Sequence, residues 1–225
     1  MSTQTPRPAG EAPVLAVFDF DGTLTYCDTL FPFLRHAMGR TWFWLKFASL
    51  VPTLLAYKAG RLDRDQAKEA VLRRYLRRWP EEKVRSMAEN YVVTRLPRLL
   101  NPVALERLQW HARQGHDLVV VSASQDLYVA PCMSFHGVMD TIATRLEVVD
   151  GRMTGRMSGG NCYGPEKLFR LQRLVGDLEG RGLYVYGDSK GDLDLLAVAR
   201  HPHFRPFRQR GHGAKSILTL LKALL

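Results

Sequence analysis

The chain has 225 residues, enough for one large domain or one core with a smaller insertion, and its 46% apolar content is ordinary for a globular protein. Lysine and arginine number 32 against 22 acids, a formal charge of +10 that indicates either an anionic partner (a phosphorylated metabolite, an acidic membrane surface or nucleic acid) or a solvated basic surface. Three well-separated cysteines, Cys27, Cys132 and Cys162, lack metal-ligand spacing and argue against a disulfide framework, which fits a reducing cytosol.

Residues 1–12 are rich in Pro, Thr and Ala without an apolar signal core, so a disordered tail is expected there. The apolar run Val14-Leu15-Ala16-Val17-Phe18 reads as a buried strand, and Gly22 marks a turn just beyond it. Asp19 and Asp21 close that strand. Side chains at i and i+2 of an extended segment share a side, so the two carboxylates are expected to share one small space while Phe20 faces away. Like charges this close repel unless a cation or a proton joins them, which makes the strand end a place for a metal and for phosphoryl chemistry.

From Asp28 the periodicity turns helical, predicting helices over 31–38, 42–57, 64–78 and 81–96, punctuated by Gly39, Gly60, Pro80 and Pro97. The segment 42–57 is nearly all apolar, but it is short for a membrane span and interrupted by Lys46 and Pro52, so it reads as a buried or interfacial helix, with core packing or cap lining preferred. The arginines at 73, 74, 77 and 78 read as a solvated helix face that could instead meet anionic lipid.

Strand and helix then alternate. A helix over 102–114 precedes a strand over 117–121 ending in Ser122-Ala123-Ser124. A helix over 126–135, a hairpin of 141–149 with 152–156 around Asp150-Gly151, a helix over 166–178, a strand over 182–186 and a helix over 192–199 follow. The tail from 215 to 225 has amphipathic spacing, so a C-terminal helix is expected over 211–225. The histidines at 201, 203 and 212 make no zinc pattern with cysteine and receive no role.

This order implies an α/β fold: a Rossmann-like parallel sheet flanked by helices, with the helical block inserted as a cap over the sheet edge. The expected division is a core of 13–29 and 100–210, a cap of 30–99 and the C-terminal helix. Ligands of open α/β sheets bind outside the carboxyl ends of the strands, and the polar signals lie there. They are Asp19-Phe20-Asp21-Gly22-Thr23, then Ser122, then Lys167 after Gly164-Pro165-Glu166, then Gly187-Asp188-Ser189-Lys190-Gly191-Asp192. A carboxylate can attack phosphorus, and a second can move the proton of the leaving group and of water. A third acid completes an oxygen site suited to Mg²⁺, while a hydroxyl and an ammonium can hold phosphoryl oxygens.

The motif order Asp-x-Asp-Gly-Thr, strand-Ser, Lys, Gly-Asp-Ser-x-x-Asp resembles the haloacid dehalogenase superfamily of phosphatases over residues 13–207, and the helical insertion looks like a type I cap. The apolar cap and Asn161-Cys162-Tyr163-Gly164-Pro165-Glu166-Lys167 resemble its subfamily IB, which holds phosphoserine phosphatase-like and phosphatidylglycerophosphatase C-like hydrolases. The resemblance implies Asp19 as nucleophile and metal ligand, and Asp21 as general acid/base whose backbone carbonyl is a ligand. It implies Lys167 as catalytic and Asp188 as the third metal ligand, with Asp192 and Ser189 in support. Ser122, Ala123, Asp28, Gly22 and Thr23 would bind substrate. The Gly-Gly that follows the serine in the phosphoserine branch reads Ala123-Ser124 here.

The implied enzyme is a Mg²⁺-dependent, cytoplasmic phosphomonoester phosphatase acting through an aspartyl-phosphate on a small phosphorylated metabolite. Two alternatives stand beside it. One is a lipid phosphatase at an anionic membrane surface, peripheral to the inner membrane. The other is a phosphate-binding module without turnover, whose signature would be a missing catalytic acid. No nucleic-acid partner is expected, for no recognised motif or aromatic–basic sheet face is present.

Overall fold

A computed structural model describes residues 14–207. The tail expected over 1–12 and the helix expected over 211–225 lie outside them.

The sheet is built from short, almost wholly apolar strands, as strands buried on both faces must be. The first is β1 (Leu15–Phe18). Its side chains alternate between two cores: Ala16 and Phe18 enter the larger, Leu15 and Val17 the smaller. It lies between β2 (Asp117–Gln125) and β5 (Leu183–Gly187), parallel to both, with Phe18 opposite Val120 and Tyr186. Beyond β2 lie β3 (Asp140–Val149) and the antiparallel β4 (Arg152–Ser158), and beyond β5 lies β6 (His201–Phe204). The order is β4-β3-β2-β1-β5-β6. This is the expected α/β class: a mostly parallel sheet with helices on its faces.

The insertion after β1 carries α1 (Leu30–Met38), α2 (Arg40–Ala48), α3 (Val51–Lys58), α4 (Arg64–Leu76) and α5 (Glu81–Thr94). Then come α6 (Pro102–Arg113), α7 (Asp126–Ser134), α8 (Pro165–Val175) and α9 (Leu193–Val198). The inserted helices share the larger core with α6 and α7, whereas α8 and α9 cover the smaller one through Leu171, Leu195 and Leu196. The insertion leaves and returns side by side, Thr25 bridging Leu100 and Asn101 N donating to the Leu24 carbonyl at 2.9 Å. It is also fastened to the β3–β4 hairpin. Arg78 N donates to the Met153 carbonyl at 2.8 Å, Met153 N to the Trp79 carbonyl at 2.9 Å, and Met157 N to Glu69 Oε1 at 3.0 Å.

The structure departs from the sequence reading in several places. The single helix expected over 42–57 is two, α2 and α3, parted at Ser49 and Leu50. Pro52 has no N–H for a continuing helix but suits a first turn, so a new helix starts there. Of its apolar residues only Phe43, Leu50 and Leu54 are buried. Trp42, Leu45 and Leu55 are 65%, 59% and 59% exposed, against the expectation of core packing. The strand expected to stop at Val121 runs on to Gln125, and the helix expected to reach Leu178 stops at Val175, where Gly176 takes φ +77°. Strand β6 was not expected at all.

Candidate active site

The C-terminal end of β1 delivers Asp19 into the sheet edge, and its N–H still donates to the Tyr186 carbonyl of β5 at 2.8 Å. The backbone then coils through a tight turn at Phe20–Leu24. Gly22 makes that turn feasible: its φ is +82°, and a side chain there would overlap the carboxylate of Asp188. Phe20 points into the larger core, as expected.

Asp19 Oδ1 meets Lys167 Nζ at 2.6 Å, and Lys167 Nζ meets Asp192 Oδ1 at 2.6 Å. All three are almost sealed from solvent. Lys167 sits in the first turn of α8, behind Gly164 and Pro165. Asp192 is itself held, its Oδ2 accepting from Asp188 N at 3.2 Å, Ser189 N at 3.0 Å and Ser189 Oγ at 2.9 Å. Burial alone would strip the charge from Lys167, but Asp19 and Asp192 outweigh it and hold the ammonium protonated. Burial, then Asp192, push the Asp19 carboxyl well above the usual carboxylate range against the pull of Lys167, with Asp188 adding to the push.

Among the described residues, the carboxylates able to hold a metal together are Asp19, Asp188 and Asp192, with oxygens within 4.8 Å of one another. An all-oxygen, anionic donor set of this kind fits Mg²⁺. Within that cluster Lys167 bridges Asp19 and Asp192, and Asp192 is also held by the loop backbone.

Asp21 turns elsewhere. Its Oδ1 accepts from Thr29 N at 3.0 Å and Thr29 Oγ1 at 2.7 Å, and its Oδ2 accepts from Ser124 Oγ. The same-side pair expected from extended geometry thus ends in different hydrogen-bond networks, because the chain leaves the extended conformation at Phe20. Thr23 Oγ1 approaches Asp19 Oδ2 at 3.5 Å, and Asp28 Oδ1 accepts from Leu30 N at 3.0 Å at the head of α1. Ser122 is fully buried, its Oγ accepting from Ser124 N at 2.9 Å. The carbonyl of Ala123 accepts from Thr144 Oγ1 at 2.8 Å and from Lys68 Nζ.

Sequence reasoning passed over Lys68, Thr29, Ser124 and Thr144. Thr29 and Ser124 partner Asp21, yet both are common residues at a helix start or strand end. Lys68 is one cation among many in α4, and no local signal sets it apart from its solvated neighbours.

Carboxylates gathered around a buried lysine at the C-terminal edge of a Rossmann-like sheet fit a hydrolase that works through an aspartate. The family model for haloacid dehalogenase-like hydrolases matches residues 16–197. The chain is 36% identical over 200 residues to protein CicA of Caulobacter vibrioides, covering 88% of this chain and 89% of that protein. It is 29% identical over 199 residues to a histidinol-phosphatase of Neisseria meningitidis, covering 84% of this chain and 88% of the relative. A substrate-bound phosphoserine phosphatase structure superposes with a TM-score of 0.57 at 23% identity, covering 84% of each chain, a likeness of fold. The chain belongs to the haloacid dehalogenase-like hydrolase family, and is a phosphatase-type hydrolase.

Proposed function

We propose that the protein is a Mg²⁺-dependent phosphomonoesterase that forms an aspartyl-phosphate on Asp19 and acts on a small phosphorylated metabolite of the phosphoserine kind. The observation that carries this reading is the sealed row Asp19–Lys167–Asp192, which places a carboxylate beside a fixed ammonium at the sheet edge. Asp19, Asp188 and the Asp21 carbonyl would hold Mg²⁺, which when bound supplies positive charge against the phosphoryl oxygens. A carboxylate oxygen of Asp19 attacks phosphorus as the bond to the leaving oxygen breaks, and Asp21 gives that oxygen a proton. Asp21 then takes a proton from water, which attacks phosphorus, releases phosphate and restores Asp19. Ser122 and Lys167 would hold the phosphoryl oxygens, and Thr29 and Ser124 aim the Asp21 carboxyl. In this reading α1–α5 form the cap, and Asp28 lies beneath it. Asp19→Asn should lower the rate of p-nitrophenyl phosphate hydrolysis with Mg²⁺ by about a thousandfold or more while leaving a cooperative thermal transition. Full activity in that variant would remove Asp19 as nucleophile.

A second reading, a phosphatase of lipid head groups, is favoured by one observation: the exposed Trp42, Leu45 and Leu55 on neighbouring α2 and α3, with Arg40 and Lys58 exposed on the same helices.

A further inference from the structure

We propose that Lys68 is a positioning residue: it reaches from α4 of the inserted block to the Ser122–Ser124 segment and fixes that segment for phosphoryl transfer only while the block is seated on the sheet. Its kinetic consequence rests on the phosphatase reading above; its structural consequence does not.

The lysine is buried, although Arg73 and Arg74 of the same helix are exposed. Its Nζ donates to the Ala123 carbonyl, to Asn161 Oδ1 at 2.7 Å and towards Thr144 Oγ1 at 3.5 Å. An ammonium has three protons, and here three acceptors answer them. The acceptors lie on β2, on β3 and on the segment between β4 and α8, so the cation is satisfied only by residues outside its own block. The contact is doubled, for Asn161 Nδ2 donates back to Asp65 Oδ1 of α4 at 2.8 Å. A lysine saturated in this way has no proton left for a substrate anion.

What Lys68 holds is the peptide between Ala123 and Ser124. Its carbonyl end is gripped by Lys68 and by Thr144 Oγ1 at 2.8 Å, and its N–H end donates to Ser122 Oγ at 2.9 Å. Having accepted that bond, the Ser122 hydroxyl keeps its own proton to donate. The next side chain along, Ser124, donates to Asp21. One peptide therefore sets both the phosphoryl-holding hydroxyl and a partner of the acid/base carboxyl. Lifting α4 off the sheet releases it.

Burial lowers the Lys68 pKa to about 8, against the opposing pull of Asp28, Asp21, Asp65 and Cys162, the groups that face it. The charge, and with it the strongest part of the grip, is lost as pH rises through that value.

The test is Lys68→Met in the full chain, assayed with Mg²⁺ on p-nitrophenyl phosphate and on phosphoserine, alongside amide hydrogen exchange of the segment around Ser122–Gln125. The expected result is a kcat lower by roughly tenfold or more with KM changed by less than about threefold, and the same factor for both substrates. Wild-type activity should decline above about pH 8, and the residual activity of the variant should lack that limb. Exchange of the Ser124 amide should quicken. Thr144→Val, which removes the other hydroxyl on the same carbonyl, should act in the same direction, and the double variant should lose less than the product of the two. If Lys68→Met fails to give a cooperative melt, Thr144→Val carries the comparison. A loss confined to KM, or one that differs between the substrates, would make Lys68 a substrate contact and overturn the proposal, as would unchanged exchange. A wild-type protein without phosphatase activity would refute the reading above, while the exchange result would still decide the latch.

Discussion

Asp19 is asked to stay ionised in a place that opposes it. Burial and Asp192 push its carboxyl up, and Asp188 adds a further negative neighbour. A group whose folded pKa lies above its unfolded value costs stability once pH exceeds the ordinary carboxylate range. A divalent cation held by Asp19, Asp188 and the Asp21 carbonyl would relieve that cost. At pH 7 a saturating Mg²⁺ concentration should therefore raise Tm relative to EDTA by roughly 6–12 °C, the size expected for about 3 kcal/mol of ligand linkage in a chain of this length. Asp188→Asn should reduce the rise by half or more in differential scanning fluorimetry; an unchanged rise would mean that the cation binds elsewhere. At this scale the motif residues were legible because strand-end acids, a strand-end serine and a lysine opening a helix each carry a chemical reason. The Thr29, Ser124 and Lys68 contacts were not. Thr29 reaches Asp21 through the coil of the Phe20 turn, and Lys68 meets partners 55 to 93 residues away, which no periodicity encodes.

On the element scale, α6 leans on the sheet through a histidine. His111 is buried, with Nε2 2.9 Å from the Tyr186 hydroxyl and Nδ1 2.7 Å from His116 Nδ1. Burial, then His116, Arg107 and His203, lower its pKa to about 4. The unfolded chain binds that proton near pH 6.5, so between about 6.5 and 4 unfolding takes up a proton that the native state refuses. Stability should fall across this window on acidification. His111→Gln should flatten the fall by about one proton in urea unfolding measured between pH 4.5 and 7.5, and a slope identical to wild type would place the titration elsewhere. The rings of His201 and His203 stack on Tyr184 and Tyr186 beside it, adding to the backbone pairing of β6 with β5. That strand was illegible for plain reasons. It is four residues long, contains Pro202 and reads polar, and it is an edge strand whose backbone pairs with β5 alone. The central strands showed plainly, since burial on both faces demands unbroken apolar runs. Helices α2 and α3 merged in the reading because apolar periodicity does not register a proline that a first turn tolerates.

The whole molecule carries a charge of +10 and leaves Trp42, Leu45 and Leu55 of α2 and α3 in solvent, and among the described residues no helix is long and apolar enough to cross a membrane. If the lipid reading holds, the protein should sediment with phosphatidylglycerol vesicles at low salt and less with phosphatidylcholine. Changing Trp42, Leu45 and Leu55 together to Ser should weaken the association about tenfold or more. Protein that stays in the supernatant with both lipids would leave the small-metabolite reading alone.

The paired stem at Thr25 and Leu100 has a bearing on how such a chain can diversify. A module whose two ends meet can be exchanged for another of unrelated length without pulling on the strands beneath it. Here the stem is not the sole attachment, since α4 and its following turn are also stitched to β4. The structural unit is therefore the insertion together with that hairpin, and a chimaera that transplants one without the other would lose the bonds that Arg78, Trp79 and Glu69 make to Met153 and Met157.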